Sequence, residues 1–507
     1  MKTILYAVVV IVVLGAIYLL AGTTSPTVQN TQLVELKDGD TYALTASYVT
    51  KVVAGKAQKM LAYNGSIPGP TIKVSQGAEV TINLKNETDL SAALHSHGVR
   101  MDNPFDGAPP VTQKEIAPGE SFSYKLKFPD AGIYWYHPHV HEAYEQPLGL
   151  YGAFVVTPND ANYFPPVNRE MPLFLSDIPV ENGKITLRKN DMSHALMGRY
   201  GNVFLTNGEE HFSLEASAGE VVRFYVVNAA TTRPFNVAIP GATIKVVGGD
   251  NGAYEKAFFT ESVLLGPSER AIIDVLFEKA GSYELQNKTP NAVYVLGTIV
   301  VRTDAVATPY TAQFAALQEN KAVQQSVAAF LTYFGKAPDK KLVLALGSGM
   351  MPANIGHGSH MMPDGSAMGG PLMSQNPGGI EWEDTVMMDQ MSAGGVAWKI
   401  VDQDTGKVNM DIDWTLKRDV PIKIRIENPA ASMHPMQHPI HFHGQRFLVA
   451  YRDGVRQTNL VWKDTVLVKA GEIVDIILEP SNPGVWMAHC HIAEHLEAGM
   501  MFMFRVE

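Results

Sequence analysis

The sequence predicts an all-β chain of three related β-sandwich domains behind an apolar N-terminal helix. Three observations carry that prediction. Glycine (43) and proline (31) are plentiful, and valine, isoleucine and threonine dominate the apolar runs, which suits many short strands joined by turns. A strand–turn–strand pattern recurs three times at long range. Histidines recur two residues apart, the period of a strand rather than a helix.

The 507 residues are too many for one ordinary core and argue for about three domains. With 18% charged and 46% hydrophobic residues the composition is that of a globular chain. A formal net charge of −11 argues against a nucleic-acid partner and suits a surface that attracts cations.

The N-terminus, "MKTILYAVVVIVVLGAIYLLAGTTS", holds an uncharged apolar run from Ile4 to Ala21. As a helix it would be about 27 Å long, close to the thickness of a bilayer core. Residues 1–25 therefore read as an export signal or a membrane anchor. No A-x-A pattern and no lipobox cysteine follow, so an uncleaved anchor is the expectation, with the rest of the chain extracytoplasmic, periplasmic or at the cell surface. Cys490 is the only cysteine, so no intramolecular disulfide forms and its thiol is left for metal chemistry.

The repeat is legible in "APGESFSYKLKFPDAGIYWYHPHVH" (117–141), "GPSERAIIDVLFEKAGSYELQNK" (266–288) and "KAGEIVDIILEPSNPGVWMAHCHIAEH" (469–495). Each reads as a strand, a glycine turn and a second strand. The domains are placed at 30–160, 170–303 and 375–507. Residues 304–374 form a connector, first alanine- and glutamine-rich with helical character, then rich in glycine and methionine. The first copy ends in His-Pro-His and the third in His-Cys-His, whereas the middle copy offers "ELQNK", so the second domain should hold no metal ligands.

Ten of the sixteen histidines fall in four clusters: "HSHG" (His95, His97), "HPH" (His137, His139), "HPIHFHG" (His438, His441, His443) and "HCHIAEH" (His489, His491, His495). On a strand, residues i and i+2 face the same way, so each pair can aim two imidazoles at one point. One pair alone reads as two ordinary histidines. Four clusters split between the first and third domains do not. Strand alternation also puts Cys490 on the face opposite His489 and His491. A Cys-x4-His-x4-Met spacing adds His495 and Met500, and His438 is the natural further donor. Two histidines, a cysteine and a weak axial methionine make the blue-copper electron-transfer geometry. The other eight histidines would face a separate metal cluster, joined to the first site through a few covalent bonds at Cys490.

The four clusters resemble the copper-binding motifs of the multicopper oxidases, and "YNGSIPGPTIKV" (63–74) looks like that family's opening strand. The resemblance covers essentially the whole chain after the apolar run. It implies three cupredoxin-like Greek-key sandwiches and four copper ions. By this resemblance His438, Cys490, His495 and Met500 hold type 1 copper, and His95 and His441 hold type 2. His97, His137 and His491 would hold one type 3 copper, and His139, His443 and His489 the other. All the ligand positions are filled, which sets the chain apart from relatives that share the fold without copper.

The implied activity is one-electron oxidation of a reductant at type 1 copper, with electrons passed through Cys490 to a cluster that reduces O2 to water. That reduction consumes protons, so an acid is expected near the cluster. The family often places a carboxylate nine residues after the second histidine of the first motif, where Asp106 stands. The alternative for Asp106 is an Asp-Gly turn residue. Related bacterial enzymes carry a second carboxylate directly after the last histidine of the fourth motif. Here that residue is Leu496, flanked by Glu494 and Glu497, and the role stays unassigned. An axial thioether at Met500 lowers the potential relative to an apolar residue and favours easily oxidised reductants.

The reductant is read from "GSGMMPANIGHGSHMMPDGSAMGGPLM" (347–373). This stretch is too rich in glycine, proline and polar residues to bury its methionines as a core. Thioethers select Cu(I), and imidazoles add to the set. Met350, Met351, His357, His360, Met361, Met362, Met368 and Met373 are therefore candidate Cu(I) contacts. The loop resembles the methionine-rich inserts of copper-efflux oxidases. The expected function is oxidation of Cu(I), or Fe(II), for copper homeostasis, by a monomer with O2 as co-substrate. The alternatives are laccase-type oxidation of phenols and aromatic amines, and a copper storage or delivery protein. The last leaves an O2-reducing cluster without a purpose.

Overall fold

The computed structural model describes residues 25–188, 194–348, 377–383, 396–431 and 435–507, and the backbone of the pairs 360–361 and 367–368. In the first unit a four-stranded sheet runs in the order Lys56–Tyr63, Thr41–Val53, Glu79–Asn86, Ser121–Lys127. A five-stranded sheet follows the order Leu33–Glu35, Thr71–Ser75, Gly152–Thr157, Gly132–His137, His95–His97. Alternate residues of the two sheets, among them Leu44, Ile82 and Leu126 against Ile72, Ile133 and Phe154, are buried in one core. Each such side chain contributes about 1.5–3 kcal/mol.

The second and third units each pair a six-stranded with a five-stranded sheet, and the wiring repeats. Gly132–His137, Gly281–Lys288 and Gly484–Cys490 each lie between the strand that follows in sequence and an upstream strand. That upstream strand is His95–His97 in the first unit, Phe235–Ala238 in the second and His438–Phe442 in the third. The second unit thus keeps the two strands that carry ligands elsewhere, with apolar and amide residues in their place.

Three asparagines show the repeat at atomic detail. The side-chain Nδ2 of Asn86 donates to the carbonyls of Leu90 and Ile116, that of Asn228 to Arg233 and Leu265, and that of Asn428 to Met436 and Val468. Their carbonyls accept from the N–H groups of Gly119, Ser268 and Gly471. Those three residues are left-handed, at φ 82°, 70° and 81°. The shared turn demands a positive φ, at a cost of about 1–2 kcal/mol for the serine.

The connector is shorter than the sequence reading placed it. Helices Thr311–Ala315, Lys321–Ala328 and Leu331–Phe334 occupy its start, with Asn320 capping the second through Val323 N–H. Lys340–Ser348, however, is a strand of the third sandwich, parallel to Ile422–Glu427 and antiparallel to Val396–Asp402. The third sandwich therefore begins near Lys340 and not at residue 375. The methionine-rich insert interrupts a strand pair instead of preceding the domain. The apolar N-terminal run lies outside the described residues, and among those described no helix is long and apolar enough to cross a membrane.

Candidate metal centres

The pleat of the third sandwich sorts its ligands onto two faces. Pairing sets Ile440 opposite Cys490 and His441 opposite His489. Alternation then puts His438, Ile440, Phe442 and Cys490 on the core side, and His441, His443, His489 and His491 on the side facing the first sandwich. In the first sandwich His95 pairs with His137, and His97 with Trp135, so those imidazoles share one face as well.

On the core side, Cys490 Sγ lies 3.6 Å from Nδ1 of His438 and 3.6 Å from Nδ1 of His495. All three residues are fully buried. The Nε2 of His495 lies 3.3 Å from the Leu196 carbonyl, which fixes its proton there and leaves Nδ1 for a metal. Met500 is buried beside them: its N–H donates to the His495 carbonyl, and its own carbonyl accepts from Cys490 N–H. Burial pushes the Cys490 thiol up, so it becomes a thiolate only when an ion compensates.

The other eight histidines converge from both sandwiches. The donor atoms of His139, His443 and His489 lie mutually within 4.8 Å, as do those of His95, His441 and His443, and those of His95, His97 and His137. His97, His137 and His491 have ring centroids 5.0 to 5.8 Å apart, and those of His95 and His441 lie 5.8 Å apart. The second nitrogen of most of these rings is occupied. His95 Nδ1 donates to the Asp106 carbonyl (2.7 Å), His441 Nδ1 to the Asp464 carbonyl (2.8 Å) and His443 Nδ1 to Asp106 Oδ2 (2.8 Å). His137 and His489 donate to the carbonyls of Pro138 and Cys490, each at 2.9 Å. His97 is turned the other way, its Nε2 on Asp464 Oδ1 at 2.9 Å.

The nitrogens left over, Nε2 of His95, His137, His139, His441 and His491 and Nδ1 of His97, are buried without a hydrogen-bond partner. Native interiors rarely tolerate six such atoms together. Burial pushes the imidazoles of His97, His137, His139, His441, His489 and His491 well below their ordinary pKa, with neighbouring rings adding to the effect on most of them. They are neutral and offer lone pairs. Neutral, pre-oriented imidazoles around a common space are what a cluster of bound metal ions requires.

Several residues at the centres carry no sequence signal. Glu142, buried in the helix Glu142–Glu145, places Oε1 3.3 Å from His491 Nδ1 and 3.7 Å from His137 Nδ1. Glu494 and Glu497, on either side of Leu496, lie near Glu142, whose carboxyl is pushed well above its ordinary value by burial and by these two charges. Glu494 accepts from Thr232 Oγ1 and lies 3.7 Å from Arg199, with burial pushing it up to about 7. Glu497 accepts from Ala143 N–H. Trp398 covers the Cys490 site, its ring 4.5 Å from His438 and 4.7 Å from His495, and its Nε1 donates to the Leu196 carbonyl. Of the candidate Cu(I) contacts, Met350, Met351, His357, Met362 and Met373 lie outside the described residues. The backbone pairs His360 with Met368 and Met361 with Ala367.

A thiol-bearing site and an all-imidazole site, joined through one strand on a three-sandwich scaffold, define an electron-transferring metalloprotein. Profiles described as multicopper oxidase match residues 45–161, 173–311 and 381–507, and the chain belongs to that family of oxidoreductases, which implies copper as the metal. It is similar to the multicopper oxidase mco of Staphylococcus aureus (24% identity; 93% of this chain, 90% of that protein) and to laccase-7 of rice (24%; 92% of each). The fold is that of a multicopper oxidase from Campylobacter jejuni described as a metallo-oxidase (TM-score 0.68, 23% identity, 96% of this chain and 98% of the other).

Proposed function

We propose that the chain is a metallo-oxidase that couples oxidation of Cu(I), or of Fe(II), to reduction of O2 to water, in the service of copper detoxification outside the cytoplasm. On this reading it holds four copper ions, one at His438, Cys490, His495 and Met500 and three among the eight histidines. Copper bound there supplies one-electron transfer at the first site and four-electron reduction of O2 at the second.

The chain's own residues set the conditions for that chemistry. Cys490 links the sites covalently through its two neighbours, and its carbonyl accepts the Nδ1 proton of His489, a hydrogen-bonded route beside the peptide path. Asp106 holds the Nδ1 protons of His95 and His443, keeping their Nε2 atoms toward the cluster. Cys490 is fully buried opposite the equally buried Ile440, which keeps water from the first site.

The observation that supports a metal-ion reductant is the burial of both type 1 imidazoles. His438 and His495 are inaccessible beneath Trp398, and the outward Nε2 of His495 is closed off by Leu196. A phenol cannot lay its ring against either histidine, whereas a small ion carried by thioethers needs only a docking point above Trp398. The laccase reading draws on the rice relative and requires that this cover be displaced. The N-terminal run would tether the enzyme to a membrane as a monomer.

The test is O2 uptake by copper-loaded protein with Cu(I), Fe(II) and a phenol side by side, for the intact chain and for one lacking 350–373. Cu(I) should be turned over fastest, and the deletion should lower that rate selectively. Unchanged Cu(I) turnover after deletion would remove the methionine-rich segment from the function.

A further inference from the structure

The second sandwich has lost the ligand histidines, yet one of its side chains reaches the histidine cluster. Arg270, at the start of the strand Arg270–Phe277, is buried, and its guanidinium crosses to the third sandwich. There it forks onto Asp464, Nη1 on Oδ1 at 2.7 Å and Nη2 on Oδ2. Its Nε donates to the Ile133 carbonyl of the first sandwich at 3.2 Å, and Asp250 Oδ1 accepts its backbone N–H at 2.8 Å. One cation therefore ties all three units at a point next to the cluster.

Asp464 serves two cluster imidazoles at once. Its Oδ1 accepts from His97 Nε2 at 2.9 Å, and its carbonyl accepts from His441 Nδ1 at 2.8 Å. The rings of His97 and His441 are stacked with centroids 3.7 Å apart. His97 differs from the histidines above in presenting Nδ1 to the cluster, and the carboxylate on its Nε2 selects that orientation. Gly98, directly after His97, has φ 80°, and a Cβ there would overlap Asp464 Oδ2 and fall 2.8 Å from Arg270. The glycine of "HSHG" is thus the space this ion pair occupies.

We propose that Arg270 is a positioning residue of the histidine cluster, by which the ligand-free second sandwich fixes His97 and His441 through Asp464. The planar fork matters: five donors in a rigid plane match a carboxylate in a way that a lysine ammonium does not. The inference rests on the reading that the eight histidines hold copper.

The experiment measures copper retained after dialysis against a chelator, with the visible and EPR spectra, for wild type, Arg270→Gln, Arg270→Lys and the charge-neutral pair Arg270→Gln with Asp464→Asn. Cysteine-to-copper absorption reports the Cys490 site, which Arg270 does not touch, and serves as the internal control for folding. The expected result is an intact blue band with cluster copper held about 10–100-fold more weakly in Arg270→Gln, the size typical of losing an outer partner of a metal ligand. Arg270→Lys should restore only part of it. The charge-neutral pair removes the buried unpaired carboxylate, so it reports on positioning even if Arg270→Gln alone fails to fold, and it too should lose cluster copper. Full cluster copper and unchanged cluster spectra in a blue charge-neutral variant would overturn the proposal. A wild-type protein that takes no copper beyond the Cys490 site would instead overturn the reading beneath it.

Discussion

The carboxylate of Asp106, in the first sandwich, accepts a hydrogen bond from Nδ1 of His443, in the third, at 2.8 Å. Its backbone carbonyl accepts one from His95 Nδ1 at 2.7 Å. Burial alone would raise this acid, but His443 and His95 hold it well below the usual carboxylate range, so it stands behind the imidazoles as an ionised acceptor. Its position is that of a residue that orients ligands across the interface between two sandwiches.

Replacing Asp106 with alanine should therefore slow O2 uptake by about 10–100-fold while leaving the blue absorption of the Cys490 site in place. Anaerobic reduction should still bleach the protein at the wild-type rate, and recovery of colour on admitting O2 should slow. Equal slowing of both phases would show that Asp106 acts on the whole fold instead of the cluster.

Cys490→Ser removes the one soft anionic ligand of the first site and the start of the link to His489 and His491. A hydroxyl of ordinary pKa does not replace a thiolate toward copper. The variant should be colourless, bind one copper fewer and lose reductant-dependent O2 uptake by at least about 1000-fold, roughly 4 kcal/mol in barrier terms. Copper analysis with visible spectroscopy and oxygen-electrode assays checks it, and sustained O2 consumption would contradict the electron route.

Trp398→Leu should open the ring cover over His438 and His495 at a cost in stability of up to about 3–5 kcal/mol, the upper figure for truncating a buried aromatic. With the cover gone, phenol oxidation should rise by about tenfold or more relative to Cu(I) oxidation, chiefly through a lower KM. Steady-state kinetics with both reductants on the same preparation measures the ratio. A ratio that stays put would mean that Trp398 is packing alone.

The strand-spaced histidines made both candidate metal centres legible as side-chain groupings, because i and i+2 positions on a strand share a face wherever the strand lies. The degenerate middle copy was equally plain, since "ELQNK" stands where the other copies have ligands. What escaped was set by tertiary contact. Asp464 meets His97 across 367 positions and Arg270 meets Asp464 across 194, and nothing local to any of the three marks it. Glu142 is presented by His141, which takes a left-handed turn (φ 51°) at the head of a one-turn helix that no periodicity announces. The strand Lys340–Ser348 falls within the expected connector because its partner Val396–Asp402 lies beyond the methionine-rich insert, which hides the pairing from any local pattern.

The interface between the first and third sandwiches should have an acid-sensitive clamp at Asp130. This carboxylate accepts from Arg100 Nε at 2.8 Å and from Arg446 Nη1 at 2.8 Å, and Arg446 also donates to Glu479 at 2.6 Å and lies over the Trp462 ring. Burial pushes the acid up, but the two guanidinium groups outweigh that and leave its pKa below the ordinary value. A depressed folded-state pKa contributes stability that is fully present above the unfolded value, about 3.9, and is lost as pH falls through the folded one. At pH 7 Asp130→Asn should thus lower the stability of the metal-free protein by about 1.5–3 kcal/mol, the range for hydrogen bonds to charged groups. Between about pH 5 and pH 3 the wild type should begin to lose that contribution by protonation, at no more than about 1.4 kcal/mol per pH unit, so the gap between the two proteins should narrow. Urea midpoints of both proteins across that range decide the matter: a gap that stays constant down to pH 3 would show that the aspartate contributes shape and not charge.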